Sequence, residues 1–266
     1  FGAHVDEVEG LLALAQELGL CVAGVSFHVG SGCGDAAAYS TALSHAADVF
    51  ILADRLGLPP LSVVDIGGGF PGGLDGYGGS DMPSFRDLAR VIRNGITAFS
   101  ATLSQWCSRQ EGTGTGSPPV HRVRFISEPG RFFVSAATTA VTQVYAHKIK
   151  TGTSDDVPAT ALQALYVDDG VYGTFNNIIY DHATPVPYKV PLDNQDTAAE
   201  PQPLLPTAVF GPTCDGLDQL CSAGETLLPQ CRENDWLYWP DMGSYTHTAS
   251  FVFNGYTHMP CDFYCA

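Results

Sequence analysis

Cys214 and Asp215 stand side by side in FGPTCDGLDQL (residues 210–220), between a Gly-Pro pair and an apolar run, where a turn would present both. A cysteine so placed can be a structural thiol, half of a disulfide or a working acid, and only tuned surroundings make it the last. Three other segments hold groups suited to an anionic, aromatic ligand. DIGGGF brings Gly67, Gly68 and Gly69 together, and glycines let backbone N–H groups approach a phosphate closely. SEPGR offers Glu128, a carboxylate for a ring nitrogen that must stay protonated, and Arg131, whose guanidinium suits a phosphate. SFHVGSG offers His28, a flat ring able to stack on an aromatic group.

The elements around these residues explain how they could converge. Residues 4–20 carry apolar side chains at helical spacing and a glycine near the end, which predicts a helix. A β-branched run ending in glycines at 21–32 predicts a strand and loop. Residues 35–57 predict a second helix with Asp35 as its N-cap, and 61–70 a buried strand running into the glycine triplet. Residues 84–106 predict a third helix capped by Ser84, and 122–134 another strand with a sharp stop. Alternating helices and strands of this kind build a parallel α/β unit, whose sites lie at the C-terminal ends of the strands. His28, the glycine triplet and Glu128 each fall at such an end.

Beyond residue 134 helical patterning stops and β-formers alternate with turn signals, predicting an all-β domain. The expected domains are therefore 1–134, α/β, and 135–266, all-β. Residues 111–119 and 192–206 read as polar surface loops.

The bulk numbers narrow the function. The 266 residues carry a net charge of −16 with only three lysines, Lys148, Lys150 and Lys189, which disfavours nucleic-acid binding and weakly favours small cations. No apolar run is long enough for a membrane span. Eight cysteines at irregular spacing, without a C-x-x-C, predict no zinc site and a reduced, cytoplasmic protein.

The segments GVSFHVGSGC, DIGGGFPG, SEPGRFFV, YVDDGVYGTFNNIIYDHA, FGPTCDGLD and DMGSYT…FNGY occur in this order, and the chain thereby resembles eukaryotic-type ornithine decarboxylase, of the alanine-racemase-like, fold-type III group of pyridoxal-phosphate enzymes. The resemblance implies the C-terminal part of a TIM-like (β/α)8 barrel followed by a Greek-key-like β-sandwich domain, working as a homodimer with shared active sites. It implies that His28 stacks on the pyridine ring of pyridoxal 5'-phosphate. Glu128 pairs with the ring nitrogen, and Ser31, Gly68, Gly69, Arg131 and Tyr245 hold the phosphate. It also implies that Asp181, Tyr180, Asp215 and Phe253 line the substrate's place. Cys214 is then the acid that returns a proton to the product, reaching with Asp215 into the partner subunit's site. The implied reaction converts ornithine to putrescine, with an antizyme-type regulator as a possible partner and no metal.

Two features depart from the family pattern. A lysine for the Schiff base to the cofactor is expected on an earlier barrel strand, and none of the three lysines has that context. The chain is thus expected to be the C-terminal two-thirds of a longer enzyme, inactive alone. Asp168 stands where the family commonly has Asn, adding a charge expected near the dimer interface. Two other readings remain open: a non-catalytic paralogue of the antizyme-inhibitor or prozyme type, and a decarboxylase of lysine, arginine or diaminopimelate.

Overall fold

A computed structural model describes residues 2–73, 83–111, 123–151, 161–191 and 202–257. The chain divides into two compact units, one of Phe1–Pro71 with Asp75–Phe132 and the other of Gly72–Leu74 with Phe133–Ala266.

In the first unit α1 (Val8–Glu17), α2 (Ala37–Arg55) and α3 (Phe85–Glu111) alternate with β1 (Gly24–Ser26), β2 (Val63–Asp65) and β3 (Arg124–Ile126), and α4 (Gly130–Val134) follows β3. Tyr39, Leu43, Ala46, Ala47, Phe50 and Ala53 recur at helical spacing and form the buried face of α2. That face packs with Leu88, Ile92 and Phe99 of α3 and with Val64 of β2 in one apolar core. The Ser84 hydroxyl accepts the Asp87 N–H at 3.2 Å, as expected of the cap of α3, whereas the cap position of α2 falls to Ala36, one residue past the expected Asp35, whose carboxylate accepts the Ala37 N–H at 2.8 Å from just outside the helix. Gly57, at φ 72°, takes the left-handed turn that ends α2, a conformation that costs other residues more. Beside it Trp106 donates to Asp54 at 2.8 Å and carries the Arg55 guanidinium 4.7 Å from its ring centre.

The three strands are parallel, in the order β1-β2-β3. Ser26, Asp65 and Ile126 form one row across them. Parallel strands in sequential order, each leading into a helix, are the repeating geometry of a TIM-like (β/α)8 barrel, of which this unit is an arc.

The second unit is built on a seven-stranded sheet of β4 (Ala140–Thr151), β5 (Ala161–Val167), β6 (Tyr188–Lys189), β7 (Leu204–Phe210), β8 (Gln219–Cys221), β9 (Leu227–Pro229) and β10 (Trp236–Trp239). The order is β6-β10-β4-β5-β7-β8, with β9 also on β7; β5 and β7 run parallel and the other pairs antiparallel. Val144, Leu165, Val209, Leu237 and Trp239 fill its core, and the Trp239 indole N–H is satisfied by the Thr142 hydroxyl at 3.0 Å.

Several expectations change at this level. The β domain is not all strand and loop: among the described residues, 3₁₀ turns at Ser135–Ala137 and His247–Ala249 accompany a 3₁₀ segment at Thr174–Asn176 running into α5 (Asn177–Tyr180), the last held because its Phe175 is fully buried against Trp239. The polar segment 192–206 is not all loop. Residues 192–201 lie outside the described residues, but Leu204–Pro206 begin β7, paired with β9. Of the segment 111–119, Glu111 closes α3 and the rest lies outside the described residues. Lys189 lies on β6 and pairs with Asp235 at 2.9 Å. The Asp168 carboxylate accepts the Gln143 N–H at 2.9 Å, a bond that an Asn oxygen could equally accept, so the position asks for an acceptor and not for a charge.

Candidate active site

The β1-β2-β3 register decides where the candidate residues of the first unit stand. His28, Gly67 and Glu128 each lie two residues beyond the row Ser26, Asp65, Ile126. The ladder continues past the strands, with Phe27 N–H donating to Asp65 O at 3.0 Å and Glu128 N–H to Gly67 O at 2.7 Å. The three strand ends meet at Gly68. A Cβ there would lie 2.8 Å from the Glu128 carbonyl oxygen and 2.8 Å from His28 Nε2, so only glycine fits without displacing one of them. Gly69, at φ 92°, packs against the end of β1, where a Cβ would lie 2.7 Å from the Gly30 carbonyl oxygen.

His28 Nδ1 accepts the Gly30 N–H at 2.8 Å, which places the proton of the neutral ring on Nε2, the atom facing Gly68. The His28, Ser31 and Glu128 side chains are exposed, whereas Arg131 is only 6 % exposed on α4. A flat ring, a free carboxylate, glycine backbone and a buried guanidinium therefore share one end of the sheet. Sequence reasoning missed Tyr39 here. Its hydroxyl donates to the Gly68 carbonyl oxygen at 2.8 Å, and nothing in the pattern of α2 marks it apart from any other apolar-face residue.

The second unit gathers another set around the loop after β7. The carboxylate of Asp218, 1 % exposed, accepts the Val171 N–H at 2.9 Å, the Thr213 N–H at 2.9 Å and the Thr213 hydroxyl at 2.6 Å. It thus ties the Cys214 turn to the segment before Tyr172. The Tyr172 hydroxyl donates to Asp215 Oδ2 at 2.6 Å, and the Leu217 N–H donates to Oδ1 at 2.9 Å. These bonds, the Leu217 N–H first, lower the Asp215 pKa and keep the group ionised; the same pairing raises the Tyr172 hydroxyl to about 12. Phe253 stacks on Tyr172 with ring centres 3.9 Å apart, and Tyr180 lies near enough to act on it electrostatically. Cys214 is exposed and close to Tyr145, which belongs to the aromatic row Tyr145, Tyr166, Phe210.

The structure thus brings Asp215, Tyr180 and Phe253 around Tyr172, a residue that no sequence signal marks out, with Cys214 one position before Asp215. Asp181 follows α5 directly, its N–H on Asn177 O at 3.0 Å. Tyr245 is exposed at φ 54° in a loop fixed at Thr246, whose carbonyl accepts from the Asn176 amide. A bulky residue with positive φ is a strained position, a signal that only the backbone could give.

The described cysteines Cys21, Cys33, Cys107, Cys214, Cys221 and Cys231 are free thiols, and burial pushes Cys221 and Cys231 up to about 11. Among the described residues no group of His, Cys, Asp or Glu could hold a metal, and no helix is long and apolar enough to cross a membrane.

An arc of parallel strands with these groups at its C-terminal end defines a class, the fold-type III decarboxylases. Residues 1–135 match the family model described as "Pyridoxal-dependent decarboxylase, pyridoxal binding domain", and the chain belongs to that family. It is 37 % identical over 266 residues to antizyme inhibitor 2 of Xenopus laevis, covering 99 % of this chain and 52 % of that protein. It is 39 % identical over 262 residues to ornithine decarboxylase of Panagrellus redivivus, covering 96 % and 54 %. Among solved structures it is similar to the Paramecium bursaria Chlorella virus arginine decarboxylase bound to agmatine, with a TM-score of 0.74, 28 % identity and coverage of 97 % and 59 %. A lysine/ornithine decarboxylase from Vibrio vulnificus complexed with cadaverine gives a TM-score of 0.72, 27 % identity and coverage of 97 % and 58 %. The chain spans about half the length of the curated relatives it matches.

Pyridoxal phosphate is the family's cofactor, and the first unit fits it. The glycine surface beyond β2 would be filled by any Cβ, the buried guanidinium is nearby in sequence to an exposed carboxylate, and a flat ring edges Gly68.

Proposed function

We propose that the chain is part of a homodimeric, cytoplasmic ornithine decarboxylase that forms putrescine, with active sites shared between subunits. The chain would supply the cofactor groups at the ends of β1, β2 and β3 and the acid and carboxylates of the β domain. When bound, pyridoxal phosphate supplies the sink for the electrons left as CO₂ departs. Glu128 keeps a proton on the cofactor's ring nitrogen, His28 covers the ring face, and Ser31, Gly68, Gly69, Arg131 and Tyr245 hold the phosphate. Asp215, kept ionised by Leu217 and Tyr172, receives the distal ammonium of the substrate together with Asp181, beside Tyr180 and Phe253. The Cys214 thiol then gives a proton to the substrate α-carbon. An ammonium moved out of water needs such a carboxylate partner, because leaving it unpaired costs several kcal/mol.

The observation that carries this reading is the Tyr172–Asp215 pair, which fixes an ionised carboxylate one residue from an exposed thiol. A second reading, a protein that acts by binding partners, is favoured by the likeness to antizyme inhibitor 2. Retention of Cys214, Asp215, Glu128 and Arg131 supports catalysis over it. An antizyme-type regulator would fit either reading as a partner.

The test is CO₂ release by the full-length protein from ornithine, lysine and arginine in turn. We expect ornithine to be preferred over lysine in kcat/KM by at least about tenfold, since one methylene is worth ~10–200-fold in a fitted pocket. No CO₂ from any of the three, with tight binding to an antizyme-type protein, would sink the catalytic reading.

A further inference from the structure

The Tyr39 hydroxyl is buried in the core of the first unit yet spends its proton on a loop carbonyl, that of Gly68, at 2.8 Å. A peptide unit is planar, and in its trans form the carbonyl and the next N–H point in opposite directions. The Gly68 carbonyl therefore cannot turn toward the core without turning the Gly69 N–H away from it. Among the hydrogen bonds of the described residues, neither the Gly68 nor the Gly69 N–H has an acceptor within the protein. Gly69, lacking a side chain and at φ 92°, is free to rotate about this peptide unless something holds it. Besides the Tyr39 hydroxyl, the neighbours of Gly69 are the Gly30 carbonyl oxygen and Val29 Cγ2, 2.7 and 3.1 Å from where a Cβ would stand, and neither can donate to the Gly68 carbonyl. Tyr39 itself is fixed by its place on α2 and by the Phe70 ring, 5.7 Å away. Burial and the neighbouring Cys33 push its hydroxyl up to about 12, so it remains a donor across the working range of pH.

We infer that Tyr39 is a positioning residue for anion binding: its hydroxyl holds the Gly68–Gly69 peptide with the Gly69 N–H directed outward, toward the cofactor's phosphate. This rests on the reading that the glycine loop takes that phosphate. Buried and 1 % exposed, Tyr39 acts through the peptide. Replacing the hydroxyl by hydrogen leaves the ring packing in place and frees the carbonyl to turn.

The test compares pyridoxal phosphate with pyridoxal, which lacks the phosphate, as ligands of the full-length apoprotein, using absorbance or fluorescence titration. In Tyr39→Phe the affinity for pyridoxal phosphate should fall about five- to tenfold, the scale of one lost hydrogen bond, while that for pyridoxal stays within twofold. Phe50→Leu, on the same buried face of α2 but packed against Phe99, serves as a packing control, lowering Tm while leaving the ratio of the two affinities at the wild-type value. Unchanged affinity for pyridoxal phosphate in Tyr39→Phe, or equal losses for both ligands, overturns the inference alone. Wild-type protein that binds pyridoxal phosphate no better than pyridoxal overturns the phosphate reading of the glycine loop and the inference with it.

Discussion

Cys214→Ala in the full-length protein is expected to lower clean diamine formation by roughly 10²–10⁴-fold, the usual contribution of a positioned general acid. The residue is exposed, and the turn that carries it is held by the buried Asp218 carboxylate, not by the thiol. Removing the sulfur should therefore leave Tm nearly unchanged. CO₂ release should fall less than diamine formation, because the acid acts after the carboxylate has left. Without the Cys214 thiol to protonate the substrate α-carbon, part of the product would be diverted to an aldehyde, its nitrogen retained in an amine form of the cofactor. Mass spectrometry of the products should find that aldehyde and the amine form of the cofactor. Clean diamine at the wild-type rate would refute the role.

Glu128→Ala should reduce kcat by roughly 10²–10³-fold, the scale seen when one preorganised electrostatic partner is removed from a site. Its structural cost should be small. The bond that extends the sheet here uses the Glu128 backbone N–H, donated to Gly67 O at 2.7 Å, and the side chain is exposed. Cofactor affinity should stay within a few-fold, since Gly68, Gly69 and Arg131 are untouched. A spectroscopic titration with pyridoxal phosphate alongside turnover separates the two effects, and near-normal turnover would contradict the role.

The strand ends were legible in the sequence for a physical reason. β-branched runs stop at glycines or at Glu-Pro-Gly, and sequential parallel strands bring such stops to one level, as the Ser26, Asp65, Ile126 row does. The Ser84 cap was legible because capping depends on residues a few positions apart, and the start of α2 was legible to within one residue. Tyr39 was not, since its role depends on a carbonyl 29 residues away. Asp218 and Tyr172 escaped for the same reason: the Asp218 bond to Val171 spans 47 residues and the Tyr172 bond to Asp215 spans 43. The helical turn before Asp181 was hidden among β-formers because burial of Phe175 overrides local preference there. The partner of Asp168 was hidden too, since its carboxylate accepts a backbone N–H, that of Gln143, 25 residues away.

On the proposed function, the strand-end residues and the Cys214 turn serve one reaction, from different subunits of a dimer. Mixing full-length Cys214→Ala and Glu128→Ala subunits tests it most directly. Each variant alone carries two defective sites, whereas a mixed dimer holds one site with both defects and one with neither. After exchange at equal concentrations, ornithine decarboxylation should rise from the low level of either variant to about a quarter of the wild-type specific activity, since half of the dimers are mixed and each has one intact site. A mixture no more active than the better variant alone, with subunit exchange confirmed by native mass spectrometry, would contradict the shared site.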